Sequence, residues 1–199
     1  LFSQYRAFNA VSVANPKREP EDARAHNLMI DREVRAGYLR FNFFRENVEG
    51  VIESQSTVLP GGVSIRTFVP IDEVQTQGVE FVINQNDIFV QNLDVRFNAT
   101  YTDSEILKNN ANPAIQGNRY PRMPEWRGNL LATYHANARW DVSANLQYAS
   151  DSFGRSDNTD LADGVYGAQD EYKRIGLKSR WKVTEALSLG IGVDNITNE

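Results

Sequence analysis

The sequence predicts an all-β fold, an antiparallel segment of a transmembrane β-barrel with about eight strands. Three observations support this prediction. Apolar and polar residues alternate along most of the chain, no stretch approaches the roughly 18 consecutive apolar residues of a membrane helix, and short connections alternate with long ones. A transmembrane barrel has short turns at one end and long loops at the other, whereas a soluble β-sandwich has no reason to keep its long loops on one side.

The alternation is clearest from Trp140 to Tyr148, where even positions are apolar and odd positions are polar. A strand with this pattern separates two different environments. Because no amphipathic helix lies between such runs, neighbouring strands are expected to be antiparallel. The predicted strands are at about 24–35, 37–55, 67–85, 91–103, 126–136, 139–150, 171–183 and 186–196.

In such a barrel wall, the apolar side chains are expected to meet lipid and the polar side chains to line the lumen. The residues expected to face lipid include Phe97, Val142, Ala144 and Leu146. Arg96 and Asn145 are expected to face the lumen.

The connections are predicted to be short near 36–37, 86–90, 137–138 and 184–185, and long at about 10–23, 56–66, 104–125 and 151–170. We expect the long connections to lie outside the cell and the short ones in the periplasm. Aromatic residues at both ends of the strands indicate the two interfacial girdles of a barrel in lipid, although the core of a β-sandwich is also rich in aromatics. The aromatics in question are Tyr101, Trp126, Trp140, Tyr148, Tyr172 and Trp181.

The composition excludes several classes of function. The chain of 199 residues has a formal net charge of -5, which argues against a nucleic-acid-binding surface, because such a surface is basic. It contains no cysteine, which excludes disulfides, thiol catalysis and cysteine-ligated zinc. Its mean hydropathy of -0.50 is typical of a soluble protein, but the alternation of a barrel strand averages its apolar signal away.

Four segments carry a family resemblance. Asn-Pro-Lys-Arg-Glu-Pro-Glu begins at Asn15, and Gln-Gly-Val-Glu begins at Gln77. Pro-Arg-Met-Pro-Glu-Trp-Arg begins at Pro121, and Val-Asp-Asn-Ile-Thr-Asn begins at Val193. In this order they resemble the motifs of TonB-dependent outer-membrane receptors, with Arg18 in place of the family's usual Leu and Trp126 in place of its His.

The resemblance implies a barrel of about 22 strands that is closed around an N-terminal plug domain. Residues 1–199 would be the C-terminal portion of that barrel, without the plug domain and without the last strand. It also implies a place in the outer membrane of a Gram-negative bacterium, contact with its lipid, and energy from the TonB–ExbB–ExbD system through the absent N-terminal part.

The function implied by the resemblance is active uptake of a scarce nutrient, most often a ferric siderophore or another iron complex. The chain is expected not to be an enzyme and to hold no cofactor and no metal. Two alternatives remain open from the sequence: a passive outer-membrane channel or adhesin-type barrel, and a soluble β-sandwich binding module. The β-sandwich alternative predicts solubility without detergent, which neither barrel does.

The candidate ligand-binding residues lie in the two long connections nearest the C-terminus. Arginine and tyrosine side chains there can donate hydrogen bonds to the carboxylate or catecholate oxygens of an anionic chelate. The alternative is that these side chains only shape solvated loops. The aspartates of the second loop, at 157, 160 and 163, favour a flexible acidic loop over a calcium site, and the histidines at 26 and 135 are expected to be ordinary strand residues. The candidates are Arg119, Tyr120, Arg122, Arg155 and Tyr166.

Overall fold

The computed structural model describes residues 12–13, 19–58, 64–160 and 169–198, and it confirms the all-β prediction. Strands β2 to β9 follow one another in sequence order as antiparallel neighbours in one sheet, while the two-residue strand β1 pairs in parallel with β4. No helix within the described part of the chain has the length and apolar character required to cross a bilayer. The strands are β1 (Ser12–Val13), β2 (Asp22–Val34), β3 (Gly37–Val58), β4 (Ser64–Gln85), β5 (Leu93–Lys108), β6 (Trp126–Asn137), β7 (Trp140–Ala149), β8 (Tyr172–Lys182) and β9 (Ser188–Val193).

The strand register divides the sheet into an apolar face and a polar face, as predicted from the alternation. On the apolar face, one cross-strand row consists of Leu39, Ile83, Phe97, Leu130, Leu146 and Ile175. The neighbouring row on the polar face consists of Arg40, Val82, Asn98, Asn129, Gln147 and Arg174. Side chains directly opposite each other on one face are within contact distance, so each row stabilises the pairing of its strands.

Exposure follows the same division on β7. Trp140, Val142 and Leu146 on the apolar face are exposed, whereas Asp141 and Asn145 on the polar face are half-buried. A face with many exposed apolar side chains is typical of a barrel wall whose outer surface contacts hydrocarbon. The contact of this face with lipid stays a prediction.

Aromatic residues lie on the apolar face at both ends of the strands, as the girdle prediction requires, except at one position. Trp140 lies opposite Trp181 next to the short turns, and Tyr101 packs against Trp126 at the other end, with ring centroids 5.0 Å apart. Tyr172 is opposite Ala149 and shares the polar face with Arg174, so its assignment to a girdle is wrong. The reason is that successive side chains on a strand point to opposite faces.

The predicted loop at 56–66 is also wrong, because β3 and β4 remain paired as far as Val58 and Ser64. Their far halves project beyond the end of β2, whose last partner on β3 is Glu49. A hairpin outside the wall needs backbone pairing but no apolar face, so the sequence alternation that marks a strand is lost there. The connection 59–63 lies outside the described residues and is no longer than the connection 183–187, so loop length alone does not alternate strictly.

A small hydrophobic core lies beyond the wall, where the projecting hairpin meets the end of β5. Since β5 continues to Lys108, the predicted connection 104–125 is shortened to 109–125. We call the ends of β3, β4 and β5 beyond the wall, together with the connections 109–125 and 150–160, the outer layer. The core residues are Val51, Ile71, Val74, Ile106 and Ile115, with Val48 and Tyr120 packed against them.

Candidate ligand-binding site in the outer layer

The connection 109–125 is held against β5 by backbone hydrogen bonds. Tyr120 N–H donates to the carbonyl of Ser104 over 2.9 Å, and Ile106 N–H donates to that of Asn118 over 2.9 Å. Further along, Thr102 N–H donates to the carbonyl of Glu125 over 2.8 Å. Arg119 and Tyr120 therefore lie on a segment fixed to the sheet, and Arg122 follows in a turn with a φ of 62°.

The two loops that carry the candidate residues are joined to each other. Asn158 Oδ1 accepts a hydrogen bond from Arg119 N–H over 2.8 Å, and Asn158 Nδ2 donates to the Arg119 carbonyl over 2.9 Å. Arg122 N–H donates to the carbonyl of Phe153 over 2.6 Å. Arg119, Tyr120 and Arg122 thus lie on the same rigid unit as the start of the second loop, which the sequence alone did not indicate.

The guanidinium of Arg119 is engaged within this unit. Its Nη2 atom lies 2.7 Å from Glu125 Oε1, and its central carbon lies 5.9 Å from the ring centroid of Phe153. The side chain of Arg119 is 32% exposed, so a ligand oxygen can reach it, but that oxygen must compete with Glu125. The guanidinium of Arg119 thus stabilises its own connection through Glu125 and contacts the second loop at Phe153.

Tyr120 and Arg122 lie beside the half-buried carboxylate of Glu53. Burial raises the pKa of the Tyr120 hydroxyl, which stays a neutral donor, and the Glu53 and Glu21 carboxylates raise it further. Burial also raises the pKa of Glu53, while Arg122 lowers it. One Glu53 oxygen is buried without a hydrogen-bond partner among the described residues. Arg122 is exposed, and the ion pairs of the described residues do not include it.

The second loop contributes a smaller site. Arg155 Nη2 lies 2.6 Å from Asp157 Oδ2, so this guanidinium already has a carboxylate partner. Partial burial raises the pKa of Asp157, but hydrogen bonds from Thr159 and the charge of Arg155 outweigh it and lower the pKa overall. Tyr166 lies outside the described residues.

The described residues contain no group of three or more acidic or histidine side chains that is placed to hold a metal ion. Asp160 is buried, and its Oδ2 atom accepts a hydrogen bond from Gly154 N–H over 3.0 Å. Asp157 is used by Arg155 and Thr159. Asp163, the third aspartate of this loop, lies outside the described residues.

Sequence reasoning missed a polar network at the other end of the wall. His135 Nδ1 lies 2.7 Å from Asp141 Oδ1, and its Nε2 atom lies 3.2 Å from Asp94 Oδ2. Arg180 Nε donates to Asp141 Oδ2 over 2.9 Å, so the network crosses β5 to β8 on the polar face. Asp141 is only six positions from His135, across the predicted short turn at 137–138, so this pair could have been found from the hairpin, whereas Asp94 is 41 positions away.

Two arginines of the polar face were also missed, because every barrel wall carries charged side chains there. Arg127 and Arg174 take no part in the ion pairs of the described residues. The guanidinium carbon of Arg174 lies 5.5 Å from the ring centroid of Tyr172. With Arg122 and Tyr120 further out, the chain presents guanidinium and phenol groups, which bind anionic oxygens, on both the outer layer and the polar face.

Comparisons with known proteins point to one family. The sequence model of the family described as "TonB dependent receptor-like, beta-barrel" matches residues 1–196. No curated protein matches the chain significantly.

Solved structures of similar fold include three siderophore or iron-chelate receptors. The siderophore receptor PiuA from Acinetobacter baumannii has a TM-score of 0.70 at 20% identity, over 96% of this chain and 26% of that one. The ferric citrate transporter FecA has a TM-score of 0.71 at 21% identity, over 90% and 27%. The ferric enterobactin receptor PfeA from Pseudomonas aeruginosa, solved in complex with enterobactin, has a TM-score of 0.68 at 17% identity, over 93% and 27%.

Proposed function

The chain belongs to the TonB-dependent receptor-like β-barrel family, and we propose that it forms part of the wall and mouth of an active importer of a ferric siderophore or another iron complex. Members of this family are outer-membrane proteins of Gram-negative bacteria and act as transporters. The chain spans about a quarter of the similar receptors, 26% of PiuA and 27% of FecA.

The observation that carries the proposal is the combination of this family with an ordered outer layer that bears cationic and phenolic groups. Arg122 is exposed and sits beside the half-buried Tyr120. A guanidinium can donate two parallel hydrogen bonds to a carboxylate or catecholate, and a fixed backbone removes the cost of ordering the loop, although the side chain itself must still be ordered. PiuA and FecA are described as a siderophore receptor and a ferric citrate transporter, which supports an iron chelate as the substrate class.

The proposed importer works through parts that lie outside this chain. A plug domain would close the lumen, and TonB with ExbB and ExbD would supply energy through it. The polar face would line the lumen and the apolar face would contact outer-membrane lipid. The fold argues against the β-sandwich alternative, and a passive channel of the same wall would bind no chelate tightly.

The test uses Arg122→Ala in the full-length receptor. A hydrogen bond to a charged group is worth roughly 1.5–3 kcal/mol, and about 1.4 kcal/mol corresponds to a tenfold change in affinity. We therefore expect ferric citrate or ferric enterobactin, whichever the wild type binds, to bind at least about tenfold more weakly. Arg119→Ala combined with Arg122→Ala should bind no more tightly than Arg122→Ala alone.

The matched control is Arg139→Ala, in the short turn between β6 and β7, which should leave affinity unchanged. Arg122→Ala and Arg139→Ala should both assemble like the wild type, since neither side chain contributes to the pairing of the wall strands. Unchanged chelate affinity in Arg122→Ala would remove this residue from the ligand site. Failure of the wild-type receptor to bind or import any iron chelate would contradict the proposed substrate class itself.

A further inference from the structure

The turn between β4 and β5, residues 86–92, exposes apolar side chains at its tip. It lies at the opposite end of the sheet from the outer layer. Phe89 is 90% exposed and Val90 is 55% exposed. Single exposed apolar residues are common on proteins, so exposure alone carries no conclusion. The backbone of the same turn adds a second observation.

Phe89 is held in a strained backbone conformation. Its φ angle is 64°, and Val90 N–H donates to the carbonyl of Ile88 over 2.7 Å. A hydrogen bond from residue i+2 to residue i around a positive φ defines the rare and strained form of the γ-turn. Glycine or asparagine relieves such strain in most turns, whereas a bulky aromatic residue does not.

The strained tip is fixed by the residues around it. Asn92 N–H donates to Asp87 Oδ1 over 2.6 Å, and Ile88 N–H donates to the carbonyl of Leu93 over 2.9 Å. An asparagine at position 89 would reduce the strain and also remove the exposed apolar surface. Strained residues persist where the surrounding structure enforces them, and they concentrate at places with a function.

The position of the turn identifies its environment. Leu93, the first residue of β5, lies on the apolar face opposite Tyr134. His135 N–H donates to the carbonyl of Asn92 over 2.9 Å, which aligns the turn with the end of β6. The next hairpin carries the Trp140–Trp181 pair of the inner aromatic girdle just beyond this level. The tip is therefore continuous with the edge of the apolar face.

We propose that Phe89 and Val90 insert into the headgroup region of the periplasmic leaflet and anchor this turn to phospholipid. The proposal rests on the proposed function, because that function places the wall in the outer membrane. Apolar and aromatic side chains are stabilised at this depth, where their surface leaves water while the backbone polar groups stay hydrated. A rigid turn presents the two side chains without a further loss of conformational entropy.

The test is site-directed spin labelling of the full-length receptor in phospholipid vesicles, with collision rates measured for oxygen and for a water-soluble nickel complex. Since the chain contains no cysteine, labels are introduced as Phe89→Cys and, as a second probe of the same tip, Val90→Cys. Leu146→Cys serves as the lipid control, and Ala138→Cys, at the neighbouring turn, serves as the water control. At position 89 we expect a high collision rate with oxygen and a low collision rate with the nickel complex, close to the rates at position 146.

A label at 89 or 90 that matches position 138 would overturn the anchor. A label that neither probe reaches would mean contact with protein, such as the plug domain or a periplasmic partner, and would overturn it equally. The control at 146 separates the two proposals. If position 146 reports lipid and 89 reports water, only the anchor fails, whereas water at 146 contradicts the membrane wall of the proposed function.

Discussion

The wall and the outer layer are built from the same strands but are specified in different ways. In the wall, neighbours along a row such as Phe97, Leu130 and Leu146 repeat one local rule, apolar on one face and polar on the other. In the outer layer, Asn158 reaches back to Arg119 across 39 positions. The wall is therefore encoded by a local periodicity, whereas the outer layer depends on individual contacts between distant segments.

The largest expected effect concerns the apolar face of the wall. Leu146 lies between Leu130 and Ile175, and Leu146→Arg should cost about 2–4 kcal/mol of folding free energy in lipid if the residue is near the bilayer midplane. The measurement is urea-dependent folding of the full-length receptor into lipid vesicles. The control is Asn145→Arg, one residue away on the polar face, which should cost much less. Equal losses of folding free energy in the two variants would contradict the prediction that only the apolar face contacts lipid.

The next effect concerns the contacts that join the outer loops. The side chain of Asn158 bonds the backbone of Arg119 twice and the carbonyl of Arg155 once, and its φ of 53° suits asparagine better than alanine. Asn158→Ala should therefore lower the free energy of local opening by about 1–3 kcal/mol, because buried partners lose their hydrogen bonds. Amide hydrogen exchange at Arg119 should accelerate about fivefold or more.

In the matched control, Asn129→Ala on the polar face of the wall, exchange at Arg119 should stay at the wild-type rate. Exchange at Leu130 should be unchanged in Asn158→Ala, since the wall does not depend on the outer loops. Acceleration that spreads equally through wall and outer layer would mean that the two regions open as one unit.

The smallest effect is a pH dependence confined to the outer layer. Because burial raises the pKa of Glu53 in the folded state, the folded chain keeps this proton to a higher pH than the unfolded chain does. The contribution of Glu53 to stability is therefore fully present below the unfolded pKa, about 4.3 for a glutamate. This contribution is lost as the pH rises through the pKa of the folded state. Glu53→Gln should remove this decrease.

The readout is amide exchange at Gly117 and Tyr120, corrected for intrinsic rates, across this pH range. Glu33→Gln, at the far end of β2, serves as the control and should leave the pH profile of the outer layer as in the wild type. Identical profiles for wild type and Glu53→Gln would show that the buried carboxylate does not control this region.

The sequence was sufficient to predict the strands of the wall, because an alternation of period two is encoded locally. The projecting halves of β3 and β4 were missed, since pairing outside the wall requires no such alternation. The two outer loops were located and Arg119 to Arg122 were singled out, but the Arg119–Glu125 pair could not be foreseen. Whether a charged side chain is free or already paired depends on tertiary contacts. The same holds for His135, whose partners come from two other strands.

The β3–β4 ribbon also has a mechanical consequence. Its paired strands of 22 residues each extend about 70 Å at roughly 3.3 Å per residue. A two-stranded ribbon of this length resists sharp bending, because a sharp bend would break the hydrogen bonds between its two strands. The pairing of β3 with β4 is interrupted once, at Gly50, which has a φ of +69° and lies between the pairs Glu49–Glu73 and Val51–Ile71. Because L side chains rarely adopt this φ, a substitution at Gly50 would strain the ribbon where its outer half leaves the wall.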